Sequence, residues 1–325
     1  MEKFRMADFH QDTLNPVLAR ILNKPELNHA EKRSQQLSRN GLLELDLIFS
    51  SVYRRIGEEL KCSAKFGNPE IQKPIKDDHF KIIDYYKTTK DFNIIEKPED
   101  LQLDSQDQIN VVLHLECGDI ITDPDVVAEL YARGVRSIGP MYNHDNQIGG
   151  GAGGDKDRGL TILGGQIIDK MIELGMIVDV SHANQKTAKE ILERVGQYEK
   201  IAATHTGFGQ QGEIFRGKER FVTPQLLQEI TKKGGVVGLN AAKPFFPTLD
   251  AYIEGMKKMS DLTGSVDNLA VATDFGGLDK EHLYADLDEI GKLSVIAEKL
   301  SEGNFTDEEI VKIMYGNIER IVKKL

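Results

Sequence analysis

Eight short apolar runs rich in β-branched residues punctuate the chain, and longer amphipathic stretches separate them. The runs fall at 4–10, 45–53, 109–116, 135–139, 176–182, 201–205, 235–240 and 268–274. Strands alternating with helix-length segments pair in parallel, because a parallel neighbour is reached only through a crossover of about a dozen residues or more. Eight such units predict an α/β chain folded as a closed (β/α)8 TIM-like barrel. Two spans, 13–44 and 54–108, exceed an ordinary crossover and read as extra helical excursions over the barrel's outside or rim. No Pro/Ser-rich linker divides the chain, so residues 1–325 are expected to form one barrel domain.

The intervening helices announce themselves by period and by end signals. Segment 161–174 places its apolar residues mostly on one face and meets Gly175, the residue type that best ends a helix in the left-handed conformation. Thr223 before Pro224 reads as an N-cap followed by proline at the first helical position. Segments 283–300 and 306–323 read as two terminal helices, the second opened by a Thr306/Glu309 capping box. The glycine cluster at 147–159 reads as a mobile loop and not as a phosphate cradle, since it lacks the Gly-Lys-Ser/Thr ending.

Composition narrows the function classes. With 41 basic and 52 acidic side chains the formal net charge is −11, which argues against a nucleic-acid partner or an anionic membrane surface. No apolar run approaches the roughly 20 residues of a membrane span. The opening MEKFRMADFHQD lacks a secretory apolar stretch, so a cytoplasmic place is expected. Cys62 and Cys117 sit in no C-x-x-C arrangement and read as reduced thiols.

In such a barrel the reactive groups stand at the C-terminal ends of the strands. Here the first run closes on Asp8-Phe9-His10-Gln11-Asp12, and two-residue spacing puts Asp8, His10 and Asp12 on one face of an extended segment. Other runs end at Glu116, His182, His205 and Asp274. Imidazoles and carboxylates converging on one mouth suit borderline divalent ions, Zn2+ foremost, with a carboxylate able to bridge two of them. His114, two residues before Glu116, reads as a barrel-interior support for the ligands. Asp179 reads as a residue that orients a neighbour or caps a loop. His29, His79 and His282 lie in polar stretches and read as solvated, and Cys117 reads as a structural thiol facing away from Glu116.

The segments DFHQD, LEC, GVRSIG, GLTILGGQIIDKMIELGMIVDVSH, ATHTGF, RFVTP, GGVVGLN and ATDFGG, in this order, resemble the membrane (renal) dipeptidase family of zinc peptidases. The likeness runs from about residue 4 to the end and is densest over 134–277. It implies an amidohydrolase-like barrel with two divalent metal ions, most simply Zn2+, and hydrolysis of dipeptides, including those with a D-residue at the C-terminal position. On this resemblance His10 and Asp12 match the first metal pair, Glu116 the bridging carboxylate, and His182 with His205 the second metal's ligands. Asp274 matches the acid beside the first metal that handles protons, and Arg220 the arginine that holds substrate. Two such ions share a hydroxide whose pKa falls toward neutrality and which attacks the scissile carbonyl. The resemblance also implies a homodimer and a small-molecule, dipeptide-like substrate.

Three departures from the family pattern concern substrate recognition. Tyr142 stands where many members have a histidine near the substrate carbonyl, with His144 two residues on. The last motif reads Thr273-Asp274-Phe275-Gly276-Gly277, one carboxylate short, and Asn240-Ala241-Ala242-Lys243 replaces Asn-Phe-Tyr. Tyr142, His144, Arg220 and Lys243 are thus the expected substrate contacts. Two other readings stand beside the dipeptidase: a hydrolase of another small amide or lactone, and a non-catalytic, metal-stabilised binding protein of the same fold.

Overall fold

The computed structural model describes residues 4–14, 17–24, 37–53, 69–103, 105, 107–209 and 220–325. Ten parallel-paired strands form its frame: β1 (Ala7–Gln11), β2 (Leu47–Val52), β3 (Phe92–Ile94), β4 (Ile109–Leu115), β5 (Val135–Ile138), β6 (Ile177–Asp179), β7 (Ile201–Phe208), β8 (Phe221–Val222), β9 (Val236–Asn240) and β10 (Leu269–Ala272). Eight follow one another around the barrel in the order β1-β2-β4-β5-β6-β7-β9-β10, while β3 pairs with β4 and β8 with β7. The ends of that path meet. The Asp274 N–H donates to the His10 carbonyl at 3.0 Å and the Asp12 N–H to the Phe275 carbonyl at 2.8 Å. All eight runs read from the sequence are the eight strands of the path.

Two apolar layers hold the barrel. Inside it, Phe9 and Phe49 meet edge to face at 4.7 Å among Leu47, Val112, Ile177, Ala202, Val236 and Ala270. The last helical run caps the strands' N-terminal end. Its Ile318, Ile321 and Val322 join the inner layer, and Asn317 donates to the Val266 and Leu269 carbonyls at 2.7 and 2.8 Å. Outside, Ile48, Val111, Leu113, Val178, Ala203 and Val237 face the apolar stripes of the surrounding helices.

Helix ends follow the residue chemistry. Thr161 caps Ile162–Glu173 by accepting from Gly164 N–H, and Gly175 follows with φ of +72°. Thr223 caps Pro224–Lys232, and Thr306 with Glu309 forms a reciprocal capping box. The 306–323 segment is a continuous helical run with a π turn at Lys312–Gly316.

Three expectations change. Segment 283–300 is helical in full turns only over Ser294–Glu302; before it, Tyr284 bridges to Leu287 and a 3-10 turn covers Ile290–Lys292. Asp286, Asp288 and Gly291 favour turns over a helix there. The glycines at 149–151 are buried and close-packed, since a Cβ on Gly150 would sit 2.4 Å from the Arg158 carbonyl oxygen. His79 is buried in Pro69–Thr88 with Nδ1 against the Ile75 carbonyl at 2.8 Å, not solvated. His29 and Cys62 lie outside the described residues.

Candidate metal centre

At the strands' C-terminal ends the barrel gathers imidazoles and carboxylates into two adjoining groups. One joins His10, Asp12 and Asp274 and the other His10, Glu116 and His205; within each, one ligand atom per residue lies within 4.8 Å of the others. His182 completes the second group, with Nε2 3.2 Å from Glu116 Oε1 and 2.9 Å from His205 Nε2. Glu116 spans the set, its Oε2 lying 3.9 Å from His10 Nε2 and its Oε1 3.7 Å from His205 Nε2. The His10 and His205 rings stack at 3.6 Å.

The groups are held from outside the cluster. Ser51 Oγ donates to Glu116 Oε2 at 3.0 Å, Asn240 Nδ2 to Asp274 Oδ2 at 3.1 Å, and Asn143 Oδ1 lies 3.2 Å from His182 Nδ1. Such partners fix ring and carboxylate orientation and tune a bound metal. Asp274 itself sits at φ of +57°, an unusual backbone state for a non-glycine residue and one that gathers at functional sites.

Two aspartates brace the ligand-bearing strands. Asp179 accepts from Ser181 N–H and Oγ and from Thr204 N–H and Oγ1 at 2.6 to 3.0 Å, as expected of an orienting residue. Asp8 accepts from His10 N–H, Thr273 N–H and Thr273 Oγ1 at 2.5 to 3.3 Å. Asp8 stays in register with Ile48 of the outer layer, and the register of β1 against β2 shifts only after it, before Gln11, so Asp8 bonds Thr273 and does not share the face of His10 and Asp12. Burial raises the Asp8 carboxyl to about 7. His114 is buried with Nδ1 2.9 Å from Ser137 Oγ and Nε2 3.4 Å from Asp179 Oδ2, and its ring meets His10 edge on at 5.4 Å.

Electrostatics and unmet bonding both fit a cation. Burial pushes His10 and His205 well below the ordinary imidazole value, giving the neutral form that ligates metals. Burial, with Asp12 and Asp274 close by, pushes the Glu116 carboxyl well above the usual range, and a cation among these carboxylates relieves that cost. Both His10 ring nitrogens are buried without a hydrogen-bond partner. Buried polar atoms are rarely left so, and a divalent ion offers the missing partner.

Of the expected substrate contacts, Tyr142 and Arg220 stand against this centre. Tyr142 stacks on His182 at 4.5 Å and on Tyr53 at 5.0 Å, and the Tyr53 hydroxyl hydrogen-bonds it. Arg220 is buried and donates to the Ser181 carbonyl and, at 3.1 Å, to the His205 carbonyl. His144 turns to Asp119, with Nε2 2.8 Å from Oδ2. Lys243 is exposed, its N–H bonded to the His282 carbonyl at 2.9 Å. Gly276 explains the missing carboxylate: φ is +82° and a Cβ would lie 2.4 Å from the Asp12 carbonyl oxygen. The sequence reading missed Ser51, Tyr53, Asn143 and Asn240. Ser51 and Tyr53 share strand parity with the inner residues Leu47 and Phe49, and Asn240 with the inner Val236, so a period-two signal could have found three of them.

A parallel β/α barrel with a His/carboxylate cluster at its strand C-termini has the architecture of barrels that can hold divalent metal at that face. The whole chain, residues 1–325, matches the family described as membrane dipeptidase, peptidase family M19, and it belongs to that family of metallopeptidases. An uncharacterised protein from the pqqA 5′ region of Klebsiella pneumoniae is 28% identical over 210 residues, 60% of this chain and 74% of that protein. An uncharacterised dipeptidase of Schizosaccharomyces pombe is 26% identical over 212 residues, 63% of this chain, which spans only 50% of that relative's length. In fold the chain is similar to a Rhodobacter sphaeroides metallopeptidase solved with a phosphinate mimic of L-Ala-D-Ala, at TM-score 0.77, 17% identity and 99% coverage of both chains. Among the described residues no helix is long and apolar enough to cross a membrane.

Proposed function

We propose that this chain is a zinc-dependent dipeptidase, acting on dipeptides with a free C-terminal carboxylate, including those with a D-residue in that position. The observation that carries the reading is the pair of adjoining His/carboxylate groups joined through His10 and spanned by Glu116. His10, Asp12 and Asp274 would hold one ion, His182 and His205 the other, and Glu116 both. When bound, such ions polarise a carbonyl and make a water nucleophilic near neutral pH.

The chain's own groups do the rest. Asp274, oriented by the Asn240 amide, takes a proton from the attacking water and returns it to the leaving amine. The Tyr142 hydroxyl donates to the carbonyl oxygen as negative charge grows there, and stacking on His182 and Tyr53 holds its ring in place. Arg220 reads a carboxylate from the buried side and Lys243 from the exposed edge. Burial of Arg220 strengthens its contact by excluding water.

A second reading, hydrolysis of another small amide or a lactone, is favoured by Tyr142, which replaces a group able to carry charge with one neutral donor. The proposal takes 1–325 as one domain, in the cytoplasm and, on resemblance alone, as a homodimer. Turnover of L,L, L,D and D,L dipeptides by the metal-loaded protein, each as free acid and as amide, tests it. Cleavage of the free acids above the amides is expected. Turnover of lactones or N-acyl amides with every dipeptide untouched would overturn it.

A further inference from the structure

A third cluster of ligand atoms lies beside the centre and shares no residue with it. Cys117, Asp119 and His144 each offer one donor atom, and these atoms lie within 4.8 Å of one another. Cys117 and Asp119 are buried, whereas the His144 side chain keeps 16% of its surface open. Asp119 stands between the other two: Oδ2 is 2.8 Å from His144 Nε2, and the carboxylate also hydrogen-bonds the Cys117 thiol.

The scaffold around the three is fixed. Asn146 Nδ2 donates to Asp119 Oδ1 at 3.0 Å and to the Pro140 carbonyl at 2.9 Å. Gln147 Nε2 lies 2.8 to 3.1 Å from the carbonyls of Gly118, Asp119 and Ile121. A Cβ on Gly118 would stand 2.5 Å from the Pro140 oxygen, so only glycine lets the turn after β4 approach the loop after β5 this closely. Donors that are already oriented lower the ordering cost of binding a ligand.

From this geometry we infer that Cys117, Asp119 and His144 form a further metal site, specific for a borderline-to-soft divalent transition ion of the Zn2+ class. Thiolate, imidazole and carboxylate are the donors such ions prefer, three protein ligands being a common set with the fourth position open toward solvent. The thiol is the informative member. It is a weak hydrogen-bond partner but a strong metal ligand, so a cysteine gains little from Asp119 alone and much from a shared ion. On binding, the thiol proton passes to solvent and the ion takes its place between sulfur and carboxylate. The ion would tie the turn after β4 to the loop after β5, close to Tyr142, whose ring lies 5.9 Å from that of His144. This inference is independent of the dipeptidase reading.

Cobalt supplies the test, because a thiolate-to-Co2+ charge-transfer band in the near ultraviolet reports cysteine ligation, and the His/carboxylate centre contains no cysteine. The full chain, stripped by chelator, is titrated with Co2+ and both this band and the visible d–d bands are followed. The expected result is a charge-transfer band that saturates at one ion per chain beyond those taken by the main centre. Cys117→Ser should remove it, Cys62→Ser should leave it, and His144→Ala should weaken Co2+ at this site by at least about tenfold. His144→Ala lies on the partly open side and keeps the test decisive if Cys117→Ser fails to fold. Absence of the band in the unmodified chain at every Co2+ level, its loss in Cys62→Ser, or its indifference to His144→Ala would overturn the site. Loss of the d–d bands alone would count against the main centre instead.

Discussion

The two halves of the metal centre are built by one device from different materials. In the β1/β10 half Asp8 grips Thr273, and in the β6/β7 half Asp179 grips Thr204, each with a backbone N–H and a hydroxyl. Both braces fix the strand end that carries the ligands. Yet the first half presents His10 with two carboxylates, Asp12 and Asp274, and the second presents the imidazoles of His182 and His205. Glu116 is the piece that both halves use. A carboxylate-rich half carries more negative charge, which suits proton handling as well as ion binding, whereas an imidazole half binds without adding charge. The difference predicts that the halves can be broken separately and, under the proposed mechanism, that only the first holds the acid–base group.

Glu116→Gln should break the comparison altogether, because it withdraws charge from both halves. Turnover should fall by at least about 10³-fold and bound metal should drop at both positions, a larger loss than for any single-half ligand. Elemental analysis beside steady-state kinetics checks this. Asp274→Asn should strike the first half alone, lowering kcat by at least about 10²-fold while circular dichroism and the thermal transition stay close to those of the parent. Near-normal turnover would move proton handling away from Asp274.

His205→Ala should strike the second half alone, costing about 10- to 100-fold in affinity for one ion with the other retained. Competition with a chromophoric chelator resolves the two. The braces sharpen the comparison at the small end. Thr273→Val and Thr204→Val each remove one hydroxyl from a buried aspartate, at about 1–3 kcal/mol in urea unfolding. Thr273→Val should cost more, since Asp8 has three donors to Asp179's four. Asp169→Asn, which breaks an exposed pair with Arg194 far from either half, should cost no more than about 1 kcal/mol.

Strand position was legible because a buried parallel strand is a short apolar run, and all eight barrel strands show one. Strand-end chemistry was legible for the same reason: a histidine or acid that closes such a run must face the mouth. Parity was less reliable. Asp8 obeys two-residue spacing on paper, yet the register shift that follows it in β1 separates it from the face of His10 and Asp12. Packing between distant segments was not legible at all. His79 reads as polar-helix surface, and only the folded chain buries it against the rest. The convergence of Cys117 with His144 depends on two loops from different strands, and Gly150 is needed for the close approach of Arg158 and Asn184. No local pattern records such meetings.

The central question is whether this barrel mouth is a metal-dependent dipeptide hydrolase. Chelator-stripped protein is assayed on L-Ala-D-Ala, then reloaded with Zn2+ in measured equivalents, with activity and bound metal followed together. Activity absent from the stripped chain that returns as the His/carboxylate centre fills is the predicted result. Turnover unchanged by stripping, or a fully metal-loaded chain that leaves the dipeptide intact, would contradict it.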